Sequence, residues 1–190
     1  MDEGYIKFKC DWIEESLLDE VEINELSRWV SFLKKENLIG VYPDGIGFGN
    51  VSVRHQAGFV ITGTQTGGIE ILEREHFAFV DKYDLKNNSI SCIGMTKASS
   101  ESMTHAAIYE VAQDCQAVVH VHSKYLWDKY IHKLPTTEEI PYGTPEMAFE
   151  LQRLIKENDR LNVVVMAGHE EGIIAFGASL KEACLKLITL

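Results

Sequence analysis

No run of lysine or arginine occurs in this 190-residue chain, and 18 basic side chains stand against 29 acidic ones for a formal charge of −11. Counterion release from a polyanion needs clustered positive charge, so nucleic acid and anionic membrane surfaces are excluded as expected partners. A continuous apolar segment is also missing near the N-terminus, where Met1–Cys10 reads MDEGYIKFKC and mixes acidic with basic residues. Neither a signal peptide nor a membrane span is expected there, which points to a cytoplasmic protein. The four cysteines, Cys10, Cys92, Cys115 and Cys184, are scattered without C-x-x-C spacing, so they read as ordinary buried thiols rather than a disulfide framework or a metal knuckle. Repeats, low-complexity tracts and linkers are absent, so a single domain over residues 1–190 is expected, with ordinary globular composition at 45% apolar and 25% charged residues.

Helical periodicity is present from about Asp11 to Asn37, where Leu26, Trp29, Val30 and Leu33 follow Leu17, Leu18 and Val21; this predicts one long helix or two short ones. A glycine-rich loop then runs into an alternating strand over Tyr42–Arg54 (YPDGIGFGNVSVR), and a second strand opens the stretch Gly58–Gly68 (GFVITGTQTGG). Further strands fit Phe77–Asp81 and Ile90–Ile93. Ser99-Ser100-Glu101 opens a helix running to about Gln113, and the strand ending in V-V-H-V-H-S follows it. Lys124–Lys133 reads as a short helix, Pro135–Gly143 as a loop, Pro145–Asn158 as a helix with proline in its first turn, and Val163–Met166 and Ile173–Phe176 as strands; Ser179 caps a last helix. The alternation predicts an α/β protein with helices covering a mixed sheet.

Residues i and i+2 of a strand point the same way, so His120 and His122 share a face, as two metal ligands would and as two polar surface residues also can. A metal site needs more donors, and two candidates stand nearby in the order of elements. His169 follows an apolar strand in M-A-G-H-E-E-G, where strand ends commonly present functional groups, although a loop histidine can equally be plain surface. Glu101 falls in the first turn of the helix before the histidine strand, where an acidic residue also serves as a dipole-stabilising cap, and Ser99 and Ser100 leave free N–H groups that can hold an anion. Three imidazoles with an open position suit a catalytic zinc-like site. His105, four residues after Glu101, is in reach of it on the same helix face, with a structural role as the alternative.

The ordered motifs GFGNVSVR, ITGT, ASSESMTHAAIY, AVVHVHS, PYGTPEMA and AGH resemble the class II aldolase/adducin family from about Leu26 onward. This family includes sugar-phosphate aldolases, a sugar-phosphate 4-epimerase and a dehydratase. The resemblance implies a three-layer α/β/α sandwich with a central mixed, largely antiparallel sheet. It also implies a homotetramer with sites between subunits. His120, His122 and His169 would hold a divalent metal, zinc first, with Mn2+, Fe2+ or Co2+ as alternatives. Glu101 would ligate the resting metal or carry a proton. Gly49, Asn50, Ser99 and Ser100 would cradle a substrate phosphate, and the family's threonine-glycine turn falls at Thr64 or at Thr66 with Gly67. The implied activity is that of a metal-dependent lyase of the aldolase type, acting on a small hydroxy-carbonyl compound, a phosphorylated sugar, through a metal-stabilised enediolate. Epimerase or dehydratase chemistry at the same site, and a non-catalytic adducin-like interaction domain, are the alternatives.

The sequence departs from the family pattern in four places. Ala98 replaces a proline, the stretch from Ser123 to Tyr142 is short, and Glu170-Glu171 stand where a glycine is usual after His169, either close to the metal or facing solvent. A C-terminal tyrosine that the family's aldolases send into a neighbouring site has no counterpart, leaving Tyr125, Tyr130 and Tyr142 as candidate acids among which the sequence does not choose.

Overall fold

The computed structural model describes residues 5–17 and 20–190. Among these described residues, ten strands and five α-helices follow in the order β1 (Lys9–Ile13), α1 (Asn24–Lys35), β2 (Gly40–Val41), β3 (Gly47–Phe48), β4 (Asn50–His55), β5 (Gly58–Thr62), β6 (Phe77–Asp84), β7 (Ser89–Ile93), α2 (Ser102–Val111), β8 (Ala117–His122), α3 (Lys124–Tyr130), α4 (Pro145–Glu157), β9 (Val163–Val165), β10 (Gly172–Gly177) and α5 (Leu180–Ile188). Eight strands form one sheet in the order β1-β7-β6-β5-β4-β8-β10-β9, while β2 and β3 pair separately. Every pairing in the large sheet is antiparallel except that of β1 with β7, so the sheet is mixed and largely antiparallel as expected.

Strand alternation divides the core into two layers. On one face Val118 packs with Met103, Ala106 and Ala107 of α2 and Met147, Ala148 and Leu151 of α4. On the other, Val119 and Val121 pack with Leu26, Val30 and Leu33 of α1 and Ala183 and Leu187 of α5. Burial on both faces explains why β8 and β9 read as near-continuous apolar runs. Because residues two apart share a face, His120 and His122 lie on the side of Val118, beneath α2 and α4.

Local signals set most helix starts. The Ser123 hydroxyl accepts from Leu126 N to cap α3, Thr144 accepts from Met147 N with Pro145 at the first position of α4, and Ser179 accepts from Glu182 N at α5. Two expectations need correction. The N-terminal helical stretch starts at Asn24, and Asp11–Ile13 belong to strand β1, because Cys10 and Trp12 pack inward against β7 with the period of two. Of the apolar residues expected to lead into that helix, Leu17 and Val21 are buried outside it, and Leu18 lies outside the described residues. The second correction is that α2 begins at Ser102, with Glu101 at its cap position and not inside the first turn. Cys92, Cys115 and Cys184 are buried and Cys10 half-buried, all as free thiols. Among the described residues no helix is long and apolar enough to cross a membrane.

Candidate metal centre

Strand β8 runs through the middle of the sheet, with His120 opposite Asn50 of β4 and Ile174 of β10, and His122 opposite Gly172. The third histidine comes from the turn between β9 and β10. That turn is closed by Met166 N donating to Gly172 O at 3.0 Å and Gly172 N donating to His169 O at 2.8 Å. Gly168 lets it lie flat against the chain, since a Cβ there would stand 2.0 Å from the carbonyl oxygen of Ile140. One ligand atom from each of His120, His122 and His169 lies within 4.8 Å of the other two, and all three side chains are buried.

Burial is the principal cause that holds His120 and His122 well below the ordinary imidazole pKa, with the other histidines adding to it. Both rings are therefore neutral, the form in which imidazole binds a metal. Nε2 of His120 is buried and makes no hydrogen bond among the described residues. A buried polar nitrogen without a partner is costly in a packed interior, and a cation between the three rings would satisfy it. Three buried imidazoles with their ligand atoms this close fit a divalent metal of the zinc type.

Around the histidines lies an aromatic wall. Phe48 stacks on His122 with ring centroids 5.4 Å apart, and Tyr142 stacks on His169 at 4.3 Å. Lys7 covers Tyr142, with its Nζ 3.8 Å from the ring centroid. Tyr142 is thus the one of the three candidate tyrosines set beside the histidines. Tyr125 is 71% exposed, and the Tyr130 hydroxyl bonds to the Leu190 carbonyl.

Glu101 is buried at 1% exposure, and its Oε2 accepts from the Thr104 hydroxyl at 3.0 Å. It is not a member of the three-histidine group. His105 does not pair with Glu101 through its side chain: its Nδ1 meets Ser52 Oγ at 2.6 Å, and Ser52 in turn meets the Tyr109 hydroxyl at 2.9 Å. The structural reading of His105 is the one that fits. Ser99 and Ser100 are buried ahead of α2, and the Gly63–Ala98 bridge together with Thr64 N donating to Lys97 O brings the Thr64 turn beside them. The hydroxyl of Thr66 is used inside that turn on Gly63 O, and Gly67 is pressed against β2, where a Cβ would come 2.0 Å from Gly40 O. Gly49, at φ +76°, sits against the His120 backbone, and the Asn50 side chain lies 3.5 Å from His120 Nδ1.

Residues 44–127 match the family model described as the class II aldolase and adducin N-terminal domain. Over these residues the chain is similar to class II aldolase/adducin domains. A curated relative, the 3-oxo-tetronate 4-phosphate decarboxylase of Haemophilus influenzae, is 27% identical over 161 residues, covering 72% of this chain and 70% of that protein. Among solved structures, an L-fuculose 1-phosphate aldolase superposes with a TM-score of 0.68 at 22% identity over 90% of this chain and 81% of its own. A sugar-phosphate aldolase from Thermotoga maritima gives 0.68 at 16% identity over 88% and 89%. The three-layer arrangement around a largely antiparallel sheet is the class II aldolase fold, as the motifs implied.

Two residues beyond the expected set also reach the three-histidine cluster. Tyr42 places its hydroxyl 2.7 Å from His122 Nδ1 and donates to Glu171 Oε2 at 2.8 Å. Of the two acidic residues after His169, Glu171 therefore turns inward, while Glu170 stays in solvent near Lys124 at 3.7 Å. Only the departure from the family glycine marked Glu171 in advance; Tyr42 stood in a glycine-rich loop with no signal of its own.

Proposed function

We propose that this protein is a metal-dependent lyase that breaks a carbon–carbon bond in a small phosphorylated hydroxy-carbonyl compound. The cluster of three buried histidines carries the reading: such a cluster costs stability unless it serves a cation. His120, His122 and His169 hold the metal, with zinc the first expectation for an all-imidazole set. When bound, a divalent cation supplies a Lewis acid that draws negative charge onto the oxygens of a hydroxy-carbonyl substrate.

Other residues do the remaining work. Ser99 and Ser100 at the start of α2, with Gly49, Asn50 and the Thr64 turn, anchor the phosphate and so hold the reactive carbon in one place. Glu101, buried close to that end of the helix, gives or takes the proton that cleavage requires. The stack of Tyr142 on His169 narrows the site and keeps water from it, and its hydroxyl is the candidate acid. By resemblance the protein works in the cytoplasm as a homotetramer.

Two lyase outcomes follow from one site. Retro-aldol cleavage needs a base for the substrate hydroxyl and yields an aldehyde. Decarboxylation needs no such base, because carbon dioxide leaves without a proton, and only the remaining carbanion must be protonated. The decarboxylase relative favours the second outcome. Elemental mass spectrometry of the protein purified without chelator should find about one metal per chain, lost in His120→Ala. Phosphorylated hydroxy-ketones and 3-oxo acids are then assayed for aldehyde and for carbon dioxide. Glu101→Gln should keep the metal and lose turnover by about 100-fold or more. Full activity in that variant, or a metal-free wild type after reconstitution, overturns the reading and moves a non-catalytic role to the front.

A further inference from the structure

We infer that Tyr42 and Glu171 are positioning residues that fix the ring and tautomer of His122 for metal binding; this rests on the reading of His122 as a ligand. The phenol of Tyr42 has one proton. A carboxylate only accepts, so the 2.8 Å contact with Glu171 Oε2 uses that proton. The 2.7 Å contact between the same oxygen and His122 Nδ1 is then one in which the imidazole donates. Nδ1 carries the hydrogen, and Nε2 is left as the lone-pair nitrogen. Carboxylate, phenol and imidazole form a directed chain, the arrangement that orients metal-bound histidines through a partner on the other ring nitrogen.

The backbone supports the same conclusion. Glu171 is held at φ +71°, a left-handed conformation that costs a non-glycine residue and favours glycine. Its carbonyl accepts from Ser123 N at 2.9 Å, which ties the His169 turn to the end of β8 directly after His122. A strained residue whose side chain reaches the second ligand, on a turn that carries the third, is what a functional constraint leaves behind. Phe48 completes the setting, stacked on His122 and 4.5 Å from the Tyr42 ring.

Tyr42→Phe removes the link and Glu171→Gly removes the acceptor while relieving the backbone. Zinc affinity is measured by competition with a chromogenic chelator, the stability of metal-free protein by thermal melting, and the His122 tautomer by ¹⁵N chemical shifts in metal-free protein. Expected are 10- to 100-fold weaker zinc binding in both variants, no further loss in the double variant, and a metal-free melting temperature for Glu171→Gly no lower than wild type. The nitrogen shifts should report a proton on Nδ1 in the wild type and a tautomer mixture in Tyr42→Phe. Unchanged affinity and tautomer in both variants, with binding still lost in His120→Ala, would overturn the positioning role and leave the metal reading intact. A wild type that binds no zinc would overturn both. Should Tyr42→Phe fail to fold, the opposite signs expected for Glu171→Gly, weaker binding without lower stability, decide the matter.

Discussion

Lowering the pH should destabilise the protein through His105, independently of any metal. This histidine is wholly buried on α2, and burial pushes its pKa from 6.5 down to about 3. Its Nδ1 is held by Ser52, and its Nε2 is buried without a hydrogen bond among the described residues, so a second proton has nowhere to be stabilised. In the unfolded chain the same ring titrates near its ordinary value. Between the two values the unfolded state binds one proton more than the native state, so stability falls as pH falls, by about 1.4 kcal/mol per unit. At pH 5, 1.5 units below 6.5, the loss from this residue is about 2 kcal/mol relative to pH 7.5. Urea denaturation of chelator-treated wild type and His105→Gln at pH 5 and pH 7.5 isolates the contribution. The substitution itself lowers stability at both pH values, and only the difference between them is read. The variant should show about 2 kcal/mol less pH dependence than the wild type. Equal pH dependence in the two proteins would refute the claim that burial keeps His105 neutral.

Two further outcomes follow from backbone and cap geometry. Gly168→Ala places a methyl group where the Ile140 carbonyl oxygen stands 2.0 Å away, so the His169 turn must shift; chelator competition should show at least about 10-fold weaker zinc binding, with about 1–3 kcal/mol of lost stability by urea denaturation. Thr144→Ala removes the side-chain cap of α4 and the 2.7 Å bond to Pro141 O, and should cost about 1 kcal/mol, a fall of roughly 2–4 °C in melting temperature by calorimetry.

Much of this molecule was legible along the chain because short-range rules govern it. The two-residue spacing of His120 and His122 places both on one face of a strand in any fold that keeps the strand. Ser123, Thr144 and Ser179 cap the helices that follow them, since a hydroxyl reaches an N–H three residues on without tertiary help. The ordered motifs around Asn50, Glu101, His120 and His169 carried the resemblance to class II aldolases, and with it the fold. Periodicity alone misread Asp11–Ile13, where a short strand lies beside apolar positions that also suit a helix; pairing with β7, more than seventy residues away, decided between them.

Tertiary structure decided what depends on contacts between distant segments. Whether Glu170 or Glu171 turns inward depends on a backbone conformation that adjacent identical residues cannot reveal. Tyr42 meets His122 and Glu171 only because the hairpin of β2 and β3 folds over the end of β8. His105 chose Ser52 of β4 over Glu101 of its own helix end, and Tyr142 rather than Tyr125 or Tyr130 came to rest on His169. Sequence by itself determined which residues are able to bind a metal, since that is chemistry of side chains and strand period; only the packed sheet decided which groups orient them, because hydrogen bonds across 80 and 129 residues of chain exist only once the core has closed.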